Sequence, residues 1–127
     1  MEAALADAEE LIRTEGPSHA VDRVHTALHG YLRAVLQEDN ITFDSETSIT
    51  ALFKLLREKH PAFHHLGPRP SDIARVSGSL TTIIDSLNTL RNKASGAHPT
   101  EHLDDPEAML VINAVRAILR YVDEKLS

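Results

Sequence analysis

Arg91 and His98 are the residues of this sequence whose types and spacing best suit chemistry on a phosphodiester. Six residues, Asn92-Lys93-Ala94-Ser95-Gly96-Ala97, separate them. RNA carries its own nucleophile, the 2′-hydroxyl. A cleaving site therefore needs a group that exchanges protons near neutrality and a fixed cation for the charge that builds up on phosphorus, and His and Arg fill those two roles. Such a scheme needs no metal, and the sequence has no obvious carboxylate-rich cage for one. Pro99 restricts His98 to extended conformations, which would help to aim its ring. The same eight residues also have an ordinary explanation. An Arg near a helix end complements the dipole, Asn and Gly terminate helices, and a loop His is usually just solvated.

The elements that would position this segment read as helices. A first helix spans about Glu2 to Thr14, with Leu5, Ala8, Leu11 and Ile12 on one face, and Gly16-Pro17 breaks it. Ser18 can cap a second helix reaching about Glu38, in which Val21, Val24, Leu28, Tyr31, Leu32 and Val35 recur at three- and four-residue spacing. Asp39 to Thr47 is a polar loop pinned to the core by Ile41 and Phe43. Thr47 or Ser48 then caps a third helix, about Ile49 to Lys59, with Ile49, Leu52, Phe53, Leu55 and Leu56 inward, and His60-Pro61 ends it. Ala62 to Pro70 is a connection. Ser71-Asp72 opens a fourth helix running through Ile73, Val76, Leu80, Ile83, Ile84, Leu87 and Leu90 to Arg91 or Asn92. Gly78 inside it costs about 1 kcal/mol of helix propensity, for which close approach of a neighbouring backbone would compensate. A loop from Ala94 leads to Asp105-Pro106-Glu107, a helix start with Asp as cap and Pro at the first helical position. The fifth helix, about Pro106 to Lys125, carries Met109, Leu110, Ile112, Val115, Ile118, Leu119 and Val122.

Bulk composition agrees. The chain of 127 residues is expected to form one domain over its whole length, and 42% hydrophobic residues with only 4% aromatic suit aliphatic helix packing, so the fold class is all-α. The net charge of -6 argues against a broad basic nucleic-acid surface, so any RNA contact must be local. There is no cysteine, hence no disulfide or thiolate nucleophile. The first residues are acidic where a secretory signal would be basic, and no stretch approaches the roughly 18 apolar residues of a membrane span. The expectation is a cytoplasmic protein without membrane contact.

Other constellations are weaker. His25 and His29 lie four apart on one helical face, as two metal ligands would, but no third ligand is evident and such histidines more often pack at a core edge or subunit contact. Asp22, His25 or Arg33 could line the cleft near the Arg91 loop. His60, His64 and His65 flank a proline-rich connection and read as solvated. His102 is too far along the chain to replace His98. Ser45, Ser48 and Ser77 have no nucleophile-elbow context, and there is no Gly-rich phosphate loop with Lys.

The whole order of segments resembles the HEPN superfamily, whose members carry an Arg, a polar residue and, after four to six intervening residues, a His at the end of a long helix. It is most similar to the abortive-infection protein C-terminal (Abi-C) domain family. The likeness runs from about Ser18 through Ala20-Val21-Asp22-Arg23-Val24-His25-Thr26-Ala27-Leu28-His29-Gly30-Tyr31-Leu32-Arg33, then Leu52-Phe53-Lys54-Leu55-Leu56, then Leu90-Arg91-Asn92-Lys93 with His98, and a last apolar helix. The resemblance implies an antiparallel bundle of about five helices. It also implies a homodimer that places two motifs at a shared cleft and cleaves single-stranded RNA, without metal or other cofactor, to cyclic phosphate and 5′-hydroxyl ends. Arg91 would hold the phosphate, His98 would act as general acid or base, Asn92 would orient either, and Lys93 and Ser95 would assist substrate binding. An antitoxin or a further defence domain would be an additional partner. The competing expectation is a noncatalytic HEPN-like module that dimerises, or binds RNA or a nucleotide, within a larger defence protein.

Overall fold

The computed structural model describes residues 2–94 and 103–127, with side chains from residue 6 to 90 and from 103 onward. Among them are five α-helices and one short 3-10 turn: α1 (Glu2–Glu15), α2 (Pro17–Glu38), α3 (Ile49–Lys59), the turn Pro61–Phe63, α4 (Pro70–Ala94) and α5 (Asp105–Leu126).

Long apolar stripes and few helix breakers account for the long elements, and local chemistry sets their ends. The chain passes from α1 to α2 through Gly16 alone, at φ 98°, a left-handed conformation that glycine adopts without penalty. Pro17 then takes the first helical position, where its missing N–H costs nothing and its fixed φ suits the helix. Ser18 therefore lies inside α2 and does not cap it. Ser48 caps α3 as expected, its hydroxyl accepting from the Ala51 N–H at 3.1 Å. The Asp39–Thr47 loop is closed on itself by Asp44, whose carboxylate accepts from the Glu46 N–H and the Thr47 hydroxyl. Ile41 and Phe43 pack against the core, as their isolation in a polar loop predicts.

Contacts between the helices fix their directions. Tyr31 Oη donates to Asp123 Oδ1 at 3.2 Å, and Val35 and Glu38 share a cavity with Lys125 and Leu126, so α2 and α5 run parallel with their C-terminal ends together. His60 and Ala62 line that same cavity, so α3 also finishes at this end. Arg57 reaches Thr81 and Thr50 reaches Asp85, so α4 runs antiparallel to α3. The Lys125 ammonium binds the His65 carbonyl oxygen, tying the tail of α5 to the connection before α4. Consequently α4 starts at this upper end and finishes at the lower one, beside the α1–α2 junction and the beginning of α5. The Arg23–Asp7 ion pair holds α1 against the lower half of α2, and the Arg116–Glu9 ion pair ties it to the middle of α5.

One contiguous core joins the helices through Val24, Leu28, Leu32, Leu36, Leu52, Phe53, Leu56, Ile84, Ile112, Ile118, Leu119 and Val122, each under 2% exposed. At about 1.5 to 3 kcal/mol per fully buried aliphatic or phenyl side chain, this cluster supplies the main force that holds the bundle together. Phe63, assigned to a plain connection by the sequence, is 5% exposed and meets the Tyr121 ring edge-on at 5.9 Å. One stripe and one lone side chain depart from expectation. Ile73, Val76 and Ile83 on α4 are 36%, 58% and 38% exposed, and Leu110 on α5 is 70% exposed. No described helix is long and apolar enough to cross a membrane.

Candidate functional site

The site is built on the lower end of α4. That helix extends to Ala94, two to three residues beyond the sequence expectation, so Arg91, Asn92 and Lys93 occupy its last helical turn. Position 91 follows Leu87 by four and Ile84 by seven, which sets it on the helical face that those two residues bury, at 8% and 0% exposure. The Arg91, Asn92 and Lys93 side chains, and Ser95 and His98 entirely, lie outside the described residues, as does His102.

The described surroundings are more informative about what meets this end. In α2, His19, Asp22 and His25 lie in the lower half of the helix, the half that shares an end with the α4 terminus, and His29 lies just above its midpoint; Asp22 and His25, expected to border the motif, are thus at the motif's end of the helix. His25 is 3% exposed, the most buried titratable side chain described, and sits one residue from the core residue Val24. Arg33 is elsewhere. It lies two turns above His25, and its guanidinium carbon stands 5.4 Å from the centre of the Phe43 ring, a cation–π contact that anchors the 39–48 loop. On the other side of the motif α5 opens at Asp104, with Asp105 and Glu107 in its first turn and Pro106 among its first positions. Asp104 stands one residue before the expected cap, Asp105, and its side chain makes no capping hydrogen bond. This acidic turn complements the positive pole of the helix dipole and gives the lower end a negative rim.

The remaining histidines have structural work in the upper half. His60 Nδ1 accepts from the Ala62 N–H at 3.1 Å and its ring meets Phe63 edge-on, capping the 3-10 turn. His64 Nε2 donates to the Glu58 carbonyl oxygen at 2.9 Å. Among the described residues no group of three or more His, Asp or Glu is placed to hold a metal ion.

This arrangement, a helical bundle whose fourth helix ends in Arg-Asn-Lys with a His after six intervening residues, agrees with a family comparison. The model of the Abi_C family, described as a HEPN-like domain, matches residues 1–126. The chain belongs to the Abi_C family of HEPN-like domains. No curated protein and no solved structure matches the chain significantly. Within this Abi_C chain the family match extends further toward the N-terminus than the motif-bearing segments alone suggest, taking in α1, which the Gly16 junction and the Arg23–Asp7 ion pair fasten to α2.

Proposed function

We propose that this Abi_C protein is a metal-independent endoribonuclease of an abortive-infection or toxin system. In this reading the 2′-oxygen of RNA attacks phosphorus, the bond to the 5′-oxygen breaks, and His98 carries the proton taken from the 2′-hydroxyl or given to the leaving oxygen. Arg91 binds the phosphate oxygens as negative charge gathers on them, and Asn92 orients the phosphate or the imidazole. Lys93 and Ser95 assist in holding the strand. The products are a 2′,3′-cyclic phosphate and a 5′-hydroxyl. The observation that carries the reading is the family match over 1–126 together with Arg91-Asn92-Lys93 at the end of α4 and His98 after it.

A homodimer belongs to this proposal. The exposed Ile73, Val76 and Ile83 lie on the helix that ends in the motif, and apolar side chains clustered on one exposed flank mark an association surface. A two-fold contact would use the same patch on both copies and bring two motifs into relation. An antitoxin or a further defence domain would bind in addition to the second copy, and the cytoplasm is the compartment in which such a nuclease meets RNA.

One observation favours the noncatalytic module instead. The net charge is -6, and Asp104, Asp105 and Glu107 stand at the same end as the motif, where they repel phosphate. Purified protein incubated with single-stranded RNA in chelator separates the two. The nuclease reading expects cleavage of RNA but not of DNA of the same sequence. Arg91→Ala and His98→Ala should each lower the rate by roughly 100-fold or more while leaving the helical circular dichroism unchanged. Intact RNA at high protein concentration overturns it in favour of the module, and full activity in either variant overturns the roles given to Arg91 and His98.

A further inference from the structure

Between α3, the 3-10 turn and the first turns of α4 lies a cavity of about 190 Å³, lined by Lys54, Arg57, Glu58, Phe63, Leu66, Ala74 and Ser77. It is at the upper end of the bundle. Ser77 precedes Arg91 by fourteen residues, about 21 Å along the helix axis, so the cavity is separate from the motif. Nothing in the proposed nuclease chemistry uses it.

Its polar groups are arranged for an anion. Arg57 is held in place from two sides: its Nη1 donates to the Thr81 hydroxyl at 2.9 Å, and its guanidinium carbon stands 6.0 Å from the centre of the Phe53 ring, itself fully buried. The cost of ordering a long side chain is thereby met within the protein, and the guanidinium keeps further N–H groups for a ligand. Lys54 lies one helical turn earlier on α3, on the same side as Glu58. Among the described residues neither Lys54 nor Arg57 forms an ion pair, although four such pairs are made elsewhere. Glu58, the one carboxylate of the lining, leaves the site with a net positive charge in a chain of net charge -6. Ser77, 4% exposed, brings a hydroxyl to the cavity from α4, and Phe63 and Leu66 provide apolar wall. Pockets that enclose a whole drug-sized ligand measure roughly 300 to 1,000 Å³. This one is smaller, and it suits a single charged group.

We propose that this cavity is a phosphoryl-group subsite, with Arg57 and Lys54 neutralising the ligand and the Ser77 hydroxyl donating to it. The proposal stands whether or not the protein cleaves RNA. The phosphoryl group belongs either to a small phosphorylated molecule or to a nucleic-acid backbone. With one phosphate per roughly 3.4 Å of stacked strand, about six nucleotides would bridge the distance from this cavity to the end of α4.

Two arms of one titration test it, both followed through the backbone amide resonances of the intact protein. The first arm uses inorganic phosphate. The second uses a 2′-O-methylated 12-mer RNA with a 5′-hydroxyl, which cannot be cut by 2′-oxygen attack. Saturable shifts at Arg57, Ser77 and Gly78 are expected in at least one arm, with binding at least tenfold weaker in Lys54→Gln/Arg57→Gln and weakened further by salt. Saturation by phosphate assigns a small-molecule source, and saturation by the oligonucleotide alone assigns a backbone phosphate. Lys54→Gln by itself removes an exposed side chain and keeps the test valid should the double variant unfold; it should weaken binding several-fold. Shifts confined to other residues in both arms, no shifts at all, or equal binding by Lys54→Gln and the wild type would overturn the proposal.

Discussion

Replacing Gly78 by Ala tests whether the helix that carries the motif needs its one interior glycine. Sequence reasoning expects a neighbouring backbone to press on this position, and the structure finds none. A Cβ built on Gly78 meets nothing closer than the Arg57 Nη2 at 4.0 Å, ordinary van der Waals contact with the end of a flexible side chain. The substitution then has no steric cost, and the helix gains the Gly-to-Ala propensity difference of about 0.8 to 1 kcal/mol, part of it through a less disordered unfolded chain. Unfolding a chain of 127 residues carries an entropy of about 270 cal/mol/K at the usual per-residue value, so the midpoint should rise by about 3 °C. Thermal denaturation followed by far-UV circular dichroism reads this directly. RNA cleavage should be unchanged, because the position is about 20 Å along α4 from Arg91. An unchanged or lower midpoint would refute the reasoning and show that α4 bends at Gly78 or that another chain packs there. A higher midpoint with lost cleavage would show that activity depends on flexure of this helix.

Three further outcomes follow from particular contacts. Val76→Glu with Ile83→Glu should leave the helical content intact and convert a dimer to a monomer in light scattering at the same concentration; a dimer that persists moves the interface off this flank. Ser48→Ala removes the hydroxyl that accepts from the Ala51 N–H and should cost about 1 kcal/mol in a denaturant titration, an unchanged midpoint counting against the cap. Burial, with Asp123 and Glu38 nearby, pushes the Tyr31 phenol up from 10.0 to about 12. Its folded pKa exceeds its unfolded one, so the stability it confers is complete below about pH 10 and disappears as pH rises toward 12. In a Tyr121→Phe background the phenolate absorbance of the remaining tyrosine should rise near pH 12, and Asp123→Asn should bring that rise to lower pH.

Reading the sequence succeeds where one physical demand dominates. The stripes of α2 and α3 are buried as their spacing requires, and Ile41 and Phe43 pin the loop between them. Errors gather where two arrangements satisfy the same rule. Gly16-Pro17 interrupts a helix in either reading, yet Pro at a first helical position starts one equally well, so the boundary falls at Pro17 and Ser18 is left without a capping role. Asp104 and Asp105 are consecutive caps of equal merit by sequence. Ile73, Val76 and Ile83 share the spacing of core residues, because a stripe facing another surface has the same period as one facing the interior. The site formed by Arg57 and Lys54 is not legible in the sequence, because Thr81 and Ser77, more than twenty residues later, give them their setting, and no local pattern encodes that meeting. For the candidate site, the placement of Arg91 at a helix end was legible from the apolar run of α4 giving way to Asn, Lys, Ser and Gly. What meets that end was not, since it depends on α2 and α5 running parallel.

The shared direction of α2 and α5 also decides how the molecule can be held. α5 finishes at the upper end beside His65, whereas α1, antiparallel to α2 and eight residues shorter, starts about 12 Å below that end, near the middle of α2. A tether fused after Ser127 would leave the bundle on the side away from the α4 terminus. The protein can therefore be attached to a surface through its C-terminal tail with the Arg91 end facing solution.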